Sequence, residues 1–279
     1  MDVFSGPKAD SLKDVLAGEY DVVIPINGRL QSLKFSLGRM IGRYKLLITG
    51  HSGIGRDDIW NIMVKPNVFI ALTKHMASWA KKWAFGTKIV TIPNGIDLNK
   101  FTPFGSKISV DLQKPIILSV GALVWYKHHE RVIKAVGKLG FGSVLIVGSG
   151  DQKNSLEEIG KEVLGDRFKI MSFKYQDIPK VYRSVDLFTL PSWNREAFGI
   201  VYLEALATGL GVIAPNDLSR KEIVGDAGIL VDTSDPIKYA KAIEECLKTD
   251  WKDKPFHQAE KFSWQEVTQQ YEDLLLSLL

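Results

Sequence analysis

The sequence predicts an α/β protein of doubly wound, parallel-sheet type, organised as two domains. Three observations predict it. Short apolar runs, rich in Val, Ile and Leu, recur from one end of the 279-residue chain to the other. Most are continuous rather than alternating, the pattern of parallel strands covered on both faces. Amphipathic helical stretches separate them, and one segment rich in Pro, Asn, Gly and Asp interrupts the series.

In order, "YDVVIPI", "YKLLITG", "NVFIAL" and "KIVTIPN" are strand candidates of the first hundred residues. "IPNGIDLNKFTP", Ile92 to Pro103, is the interruption and reads as a linker. Then "PIILSVGAL", "GSVLIVGSG", "FKIMSF", "DLFTLPS", "GVIAPN" and "GILVD" read as strands. "KHHERVIKAVGKLG", "QKNSLEEIGKEVLG", "DIPKVYRS" and "DPIKYAKAIEECLK" read as the helices between them. "SWQEVTQQYEDLLLSLL" closes the chain as an amphipathic helix with Ser263 as N-cap.

Composition narrows the function. Hydrophobic residues make up 45% and charged residues 24%, the balance of a globular protein with a sizeable core. A net charge of +4 is too mild to argue for nucleic acid but suits an anionic ligand. The single cysteine, Cys246, excludes a disulfide framework and points to a reducing compartment, the cytoplasm. No apolar run reaches membrane-spanning length, and the N-terminus lacks a signal-peptide pattern.

The chemistry gathers around "REAFGIVYLEALATGLGVIAPN", Arg195 to Asn216. Gly199 opens a helix whose first N–H groups have no intrahelical partner, a place suited to phosphate. Glu204 lies roughly 8 Å further along the axis at 1.5 Å per residue, about the reach from a diphosphate to a ribose. A carboxylate accepts two hydrogen bonds at once, and a ribose diol donates two. Glu196, ahead of the helix, would face a sugar at the other end of the diphosphate. The alternative for Glu204 is an ion pair with a buried Arg or Lys, or a place on an exposed stripe.

The spacing Glu196–x7–Glu204 with Phe198-Gly199 between resembles the donor-site motif of family 4 glycosyltransferases of the GT-B fold. "SVGALVWYKH", "VGSGD", "IPNGID", "YRSVDLFTLPS" and "DAGILVD" are similar to other segments of that family, in its order, over almost all of residues 88 to 275. The resemblance implies two Rossmann-like domains facing across a cleft. Residues 1–97 would be an acceptor-side domain and 98–279 a nucleotide-sugar domain whose terminal helix packs back toward the first.

It implies a retaining, metal-independent hexosyltransferase of polysaccharide biosynthesis. The substrates would be a nucleotide-diphosphate sugar and a glycan or lipid-linked acceptor, with no cofactor. Glu204 would bind the ribose and Glu196 the hydroxyls of the transferred sugar. Phe198, Gly199 and Ile200 would offer backbone contacts, and Gly121 would open the diphosphate loop. Lys127 would neutralise the diphosphate. The family's second cation, an Arg, is replaced here by Ala122, and Arg195 is the candidate substitute. His51, in "LLITGHSG", would be the histidine near the donor sugar.

The family's glycine-rich acceptor loop, which precedes the "YDVVI" strand, is absent. The chain is therefore expected to be either a fragment or a natural short form, and a nucleotide-sugar binding module without turnover is the alternative function. An epimerase of the same fold would need acid/base carboxylates that the sequence does not offer. "VGSGDQK" lacks the third glycine of a dinucleotide fingerprint, because Lys153 holds its place. His128 and His129 are adjacent and cannot share a helix face to hold a metal.

One further stretch has two readings. In "RLQSLKFSLGRMIGRYKLL" the residues Leu30, Leu33, Leu37, Met40, Ile41 and Tyr44 form one stripe, flanked by Arg29, Lys34, Arg39, Arg43 and Lys45. Either the helix covers the first sheet, or it lies on the inner face of a membrane as a peripheral contact.

Overall fold

The computed structural model describes residues 11–26 and 28–279; the first ten residues of the N-terminus, read above for a signal-peptide pattern, lie outside them. The chain forms two compact units. Of the described residues, the first comprises those up to 94 with 195–198 and 267–279, and the second 95–194 and 199–266.

The first unit runs α1 (Leu12–Ala17), β1 (Val22–Val23), α2 (Gly28–Gly42), β2 (Lys45–Thr49), α3 (Arg56–Met63), β3 (Val68–Ala71), α4 (Lys74–Ala80) and β4 (Lys88–Thr91). Its four strands pair in the order β1-β2-β3-β4, all parallel. The predicted first strand shrinks to Val22–Val23. Pro25 follows it, and a proline brings no N–H to a ladder. The core packs Leu47, Val68, Ile70 and Ile92 against Val267 and Leu274 of the last helix.

The second unit carries β5 (Ile116–Val120), α5 (His129–Leu139), β6 (Ser143–Val147), α6 (Lys153–Leu164), β7 (Phe168–Met171), α7 (Ile178–Tyr182), β8 (Leu187–Thr189), α8 (Ile200–Ala207), β9 (Val212–Pro215), α9 (Leu218–Val224), β10 (Gly228–Val231), α10 (Pro236–Lys248) and α11 (Lys254–Glu260). Helix α12 (Trp264–Leu276) begins here and ends in the first unit. Ser263 Oγ accepts the Glu266 N–H at 3.2 Å at its start. The sheet order is β10-β9-β8-β5-β6-β7, again wholly parallel. Counted within the unit, the order reverses between β5 and β8. In such sheets ligands bind outside the carboxyl ends of the strands at that reversal.

Two sequence readings acquire a physical resolution. Cys246 is buried in the core of the second unit, and burial pushes its thiol up to about 12, so it is a packing residue and not a nucleophile. Helix α2 forms, but its leucine stripe does not cover the sheet. It buries Gln31, Ser32, Phe35 and Gly38 instead and leaves Leu30, Leu37, Met40 and Ile41 in solvent.

Candidate active site

The switch point of the second unit is built by close backbone approach. A Cβ on Gly148 would lie 1.9 Å from the Gly121 carbonyl oxygen, so only glycine lets the turns after β5 and β6 meet there. Beyond Gly121 the chain makes one 3-10 turn, Trp125–Lys127, then passes through His128 with φ 56° into α5. His129 locks this loop from below. It is buried, its Nδ1 is 2.9 Å from Ser119 Oγ, and its Nε2 is 3.3 Å from the Ala122 carbonyl. A neutral ring protonated on Nε2 satisfies both contacts, and burial pushes its pKa down to about 4. His128 turns instead toward Glu130, at 3.3 Å, so the two histidines serve separate partners.

The loop after β8 joins this loop. The Trp193 N–H donates to the Tyr126 carbonyl at 3.0 Å, and the two rings stack at 4.9 Å. Arg220, wholly buried, fastens the same loop to the start of α9. It donates to Asp217 Oδ2 at 2.9 Å, to Ser192 Oγ at 2.9 Å and to the Trp193 carbonyl at 2.8 Å. Beside it a cavity of about 460 Å³ opens at the carboxyl ends of β8, β9 and β10, walled by His128, Arg131, Trp193, Asn216 and Thr233. Lys127, half-buried, places Nζ 5.9 Å from the Tyr126 ring centroid.

Gly199 caps α8 with φ 86° and ψ 62°, a left-handed conformation that suits glycine, and no side chain caps the helix. The residue after it, Ile200, is exposed. Glu204 lies on the second turn and is 6% exposed. The Tyr182 hydroxyl donates to its Oε2 at 2.8 Å. Burial raises the Glu204 pKa, while the Tyr182 hydrogen bond and the nearby Lys100 charge pull it back. Among the described residues Glu204 forms no ion pair, so neither sequence alternative, a buried pair or an exposed stripe, describes it. Lys100 sits 3.3 Å from the centroid of the exposed Tyr175 ring, and Phe101 lies between Tyr175 and Tyr182, tilted to the first at 6.3 Å and edge-on to the second at 6.1 Å. Sequence reading missed Lys100, Tyr175, Tyr182 and Arg220.

Arg195, Glu196 and Phe198 belong to the first unit, as does His51. His51 follows β2, where the Gly50 N–H donates to Ile70 at 2.9 Å and extends the sheet edge into the loop. Two residues on, Gly53 takes φ 81°, and a Cβ there would lie 2.0 Å from the Arg195 carbonyl oxygen and 3.0 Å from the Ala197 nitrogen. The structure therefore brings the His51 loop and the Arg195–Phe198 segment into backbone contact. Phe198 is buried, and Glu196 is half-buried. Partial burial holds the His51 imidazole below its ordinary pKa.

The loop rests on Asp58, another residue the sequence reading passed over. Asp58 is fully buried, accepts from Asn61 Nδ2 at 3.1 Å, and has no partner for Oδ2. Burial lifts its pKa to about 7, against the pull of Asn61 and of the Gly53 and Ser52 N–H groups. Ser32 Oγ donates to Asn61 at 3.0 Å, and so ties α2 to α3.

Comparison with known proteins follows the same lines. A family model described as "Glycosyl transferases group 1" matches residues 104–262, more than half of the chain. The GDP-mannose-dependent monoacylated alpha-(1-6)-phosphatidylinositol monomannoside mannosyltransferase of Corynebacterium glutamicum is 30% identical over 187 residues, 60% of this chain and 49% of that protein. The D-inositol 3-phosphate glycosyltransferase of Corynebacterium urealyticum is 30% identical over 222 residues, 68% of this chain and 51% of that protein. The chain thus spans about half the length of the curated relatives it matches. Anabaena HepE, solved in complex with UDP, superposes with a TM-score of 0.80 at 20% identity, over 95% of this chain and 82% of that one. Sucrose-phosphate synthase from Thermosynechococcus elongatus does so with 0.81 at 23% identity, over 97% and 77%. These likenesses show a GT-B fold, with two Rossmann-like parallel sheets.

Proposed function

The chain belongs to the group 1 glycosyl transferases, and from that premise we propose that it moves a hexosyl unit from a nucleotide-diphosphate sugar to an acceptor hydroxyl. The anomeric configuration would be retained, as in family 4, without a metal ion. The acceptor would be a glycan or a lipid-linked saccharide. The relatives named for phosphatidylinositol mannoside and inositol phosphate acceptors support that choice. Work at the inner face of a membrane, from the cytoplasm, belongs to the same proposal.

The observation that carries the reading is Glu204. A buried carboxylate with one hydroxyl donor and no cation at ion-pair distance keeps acceptor capacity for a ligand. A ribose diol supplies two donors to it. The N–H groups of Ile200 and its neighbours, at the Gly199 cap, suit the diphosphate. Lys127 would neutralise charge as the diphosphate leaves, with Arg195 as second cation. Phe198 would add a backbone contact and Gly121 room for the phosphates. Glu196 would hold hydroxyls of the transferred sugar, and His51 would meet the sugar from its own loop.

The test is direct. The purified chain is titrated with GDP-mannose and UDP-glucose, then given saccharide acceptors, and the new linkage is read by NMR. Binding of one donor, an axial product from an axial donor, and full rate in excess chelator are expected. Binding without any transfer or donor hydrolysis would favour the module without turnover. Absence of binding by either nucleotide sugar would overturn the reading.

A further inference from the structure

The cavity at the carboxyl ends of β8, β9 and β10 lies apart from the groups assigned to the nucleotide sugar. Arg131 walls it from the start of α5, Trp193 and Asn194 from the loop after β8, Asn216 from the end of β9, and Asp232 and Thr233 from the end of β10. Glu204, Gly199, Ile200 and Lys127 are not among its lining residues. The helices behind the two sites have different partners, since α5 packs against α10 and α8 against α11. The whole wall belongs to the second unit and falls within residues 104–262, the stretch that the family model matches.

The wall is polar and close to charge balance. Asp217 is already matched by the buried Arg220, at 2.9 Å. Asp232 keeps Oδ1 occupied by the Ser234 N–H at 3.0 Å and the Ser234 hydroxyl at 2.6 Å, and Arg131 offsets its charge. Thr233 is only 4% exposed, yet its hydroxyl has no partner among the described residues. A buried hydroxyl is ordinarily hydrogen-bonded. The side-chain amides of Asn194 and Asn216, exposed at the rim, also lack partners among the described residues, and each can both donate and accept. Arg220 fixes the wall from behind through Ser192 and the Trp193 carbonyl, so the site is organised before a ligand arrives.

We propose that this cavity binds one ring of a neutral saccharide, with Thr233, Asn194 and Asn216 bonding its hydroxyls and the Trp193 indole bordering its apolar face. A sugar hydroxyl donates and accepts, and so matches amides and a hydroxyl that do both. A phosphate would meet two carboxylates, Asp217 and Asp232, against one arginine of the lining, Arg131. The volume of about 460 Å³ lies within the roughly 300–1,000 Å³ of cavities that hold small molecules. The use of the site rests on the proposed function: it holds a ring of the acceptor glycan on the second unit. Binding itself does not require transfer.

Saturation-transfer NMR tests it on the purified chain, with maltotriose and an α-1,6-linked mannotriose as probes. Binding of at least one, with a dissociation constant on the order of 1 mM, is expected, and it should persist in saturating UDP-glucose or GDP-mannose. Thr233→Val keeps the side-chain shape and removes the hydroxyl, and Asn216→Ala shortens an exposed side chain. Each should weaken the trisaccharide roughly fivefold or more and leave nucleotide-sugar affinity unchanged. Circular dichroism reports whether the variants fold. Displacement of the trisaccharide by a nucleotide sugar would put it in the donor's own subsite and overturn the proposal. So would unchanged binding by folded variants, displacement by adenosine or inorganic phosphate, or binding of neither probe at about ten times the expected constant. A chain that binds a trisaccharide but no nucleotide sugar would keep this site and lose the proposed function.

Discussion

The Tyr182 hydroxyl donates to Glu204 Oε2 across 2.8 Å, and both side chains are buried. Burial raises the pKa of each. The phenol therefore keeps its proton at neutral pH and donates it to the Glu204 carboxyl group. That leaves the rest of the Glu204 lone-pair capacity directed elsewhere.

Glu204→Gln keeps an oxygen for Tyr182 to donate to, so the fold should survive with little loss. The charged acceptor is gone, and a hydrogen bond to a charged group is worth roughly 1.5–3 kcal/mol. Affinity for a nucleoside diphosphate should fall roughly ten- to 150-fold by isothermal titration. Unchanged affinity in a folded variant would remove Glu204 from the ribose. Tyr182→Phe should weaken binding less, and more so at acid pH, because Glu204 loses the donor that favours its ionised form.

Lys127→Ala separates charge neutralisation from simple contact. If its charge is used as the diphosphate leaves, turnover should fall more than affinity for a nucleoside monophosphate. Equal losses of affinity for monophosphate and diphosphate would move Lys127 away from the distal phosphate. The stacked Tyr126–Trp193 pair also holds this loop, and thermal unfolding of the variant separates a lost charge from a lost fold.

How much of this was legible in the sequence depended on range. The parallel strands were legible because continuous apolar runs leave few other options, as in Ile116–Val120 and Ser143–Val147. The start of α8 was legible because Gly199 and its helix are neighbours. Tyr182 was not, since its link to Glu204 crosses 22 positions, and Lys100 lies still further from it. Asp58 went unread, because Asp57 beside it is equally acidic and nothing local shows that Asp58 is the buried one. The α2 stripe shows the limit most plainly. Period reveals that Leu30, Leu37 and Met40 share a face, yet not whether that face meets protein. Buried Gln31 and Ser32 decided it, through partners almost thirty positions away.

Acid should act on the two units in opposite senses. Asp58 has an ordinary pKa near 3.8 when exposed and about 7 when folded, so between these values the first unit holds a proton that the unfolded chain has released. Its stability should fall as pH rises from about 4 to about 7. His129 has an ordinary value of 6.5 and about 4 when folded, so there the unfolded chain holds the extra proton. The second unit should lose stability as pH falls from about 6.5 to about 4. Hydrogen exchange, corrected for its intrinsic pH dependence, should show β2 and α3 better protected at the acid end and β5 and α5 worse. Asp58→Asn should flatten the first trend and leave the second. Parallel trends in both units would refute the assignment.

Gly53→Ala offers a test of the His51 loop. Gly53 has φ 81°, where an L side chain is strained, and its Cβ would meet the Arg195 carbonyl at 2.0 Å. Backbone on both sides must shift, moving the loop that carries His51 and the segment that carries Glu196. The core beneath, with Leu47, Ile70 and Val267, is untouched, so the first unit should still fold, at a cost of roughly 1–3 kcal/mol. Glu204 and Lys127 belong to the second unit. Nucleoside diphosphate affinity should therefore stay within a factor of about three, while sugar transfer falls at least tenfold through misplaced groups. Donor affinity lost in step with transfer would mean that the segment from Arg195 to Phe198 serves the nucleotide and not the sugar.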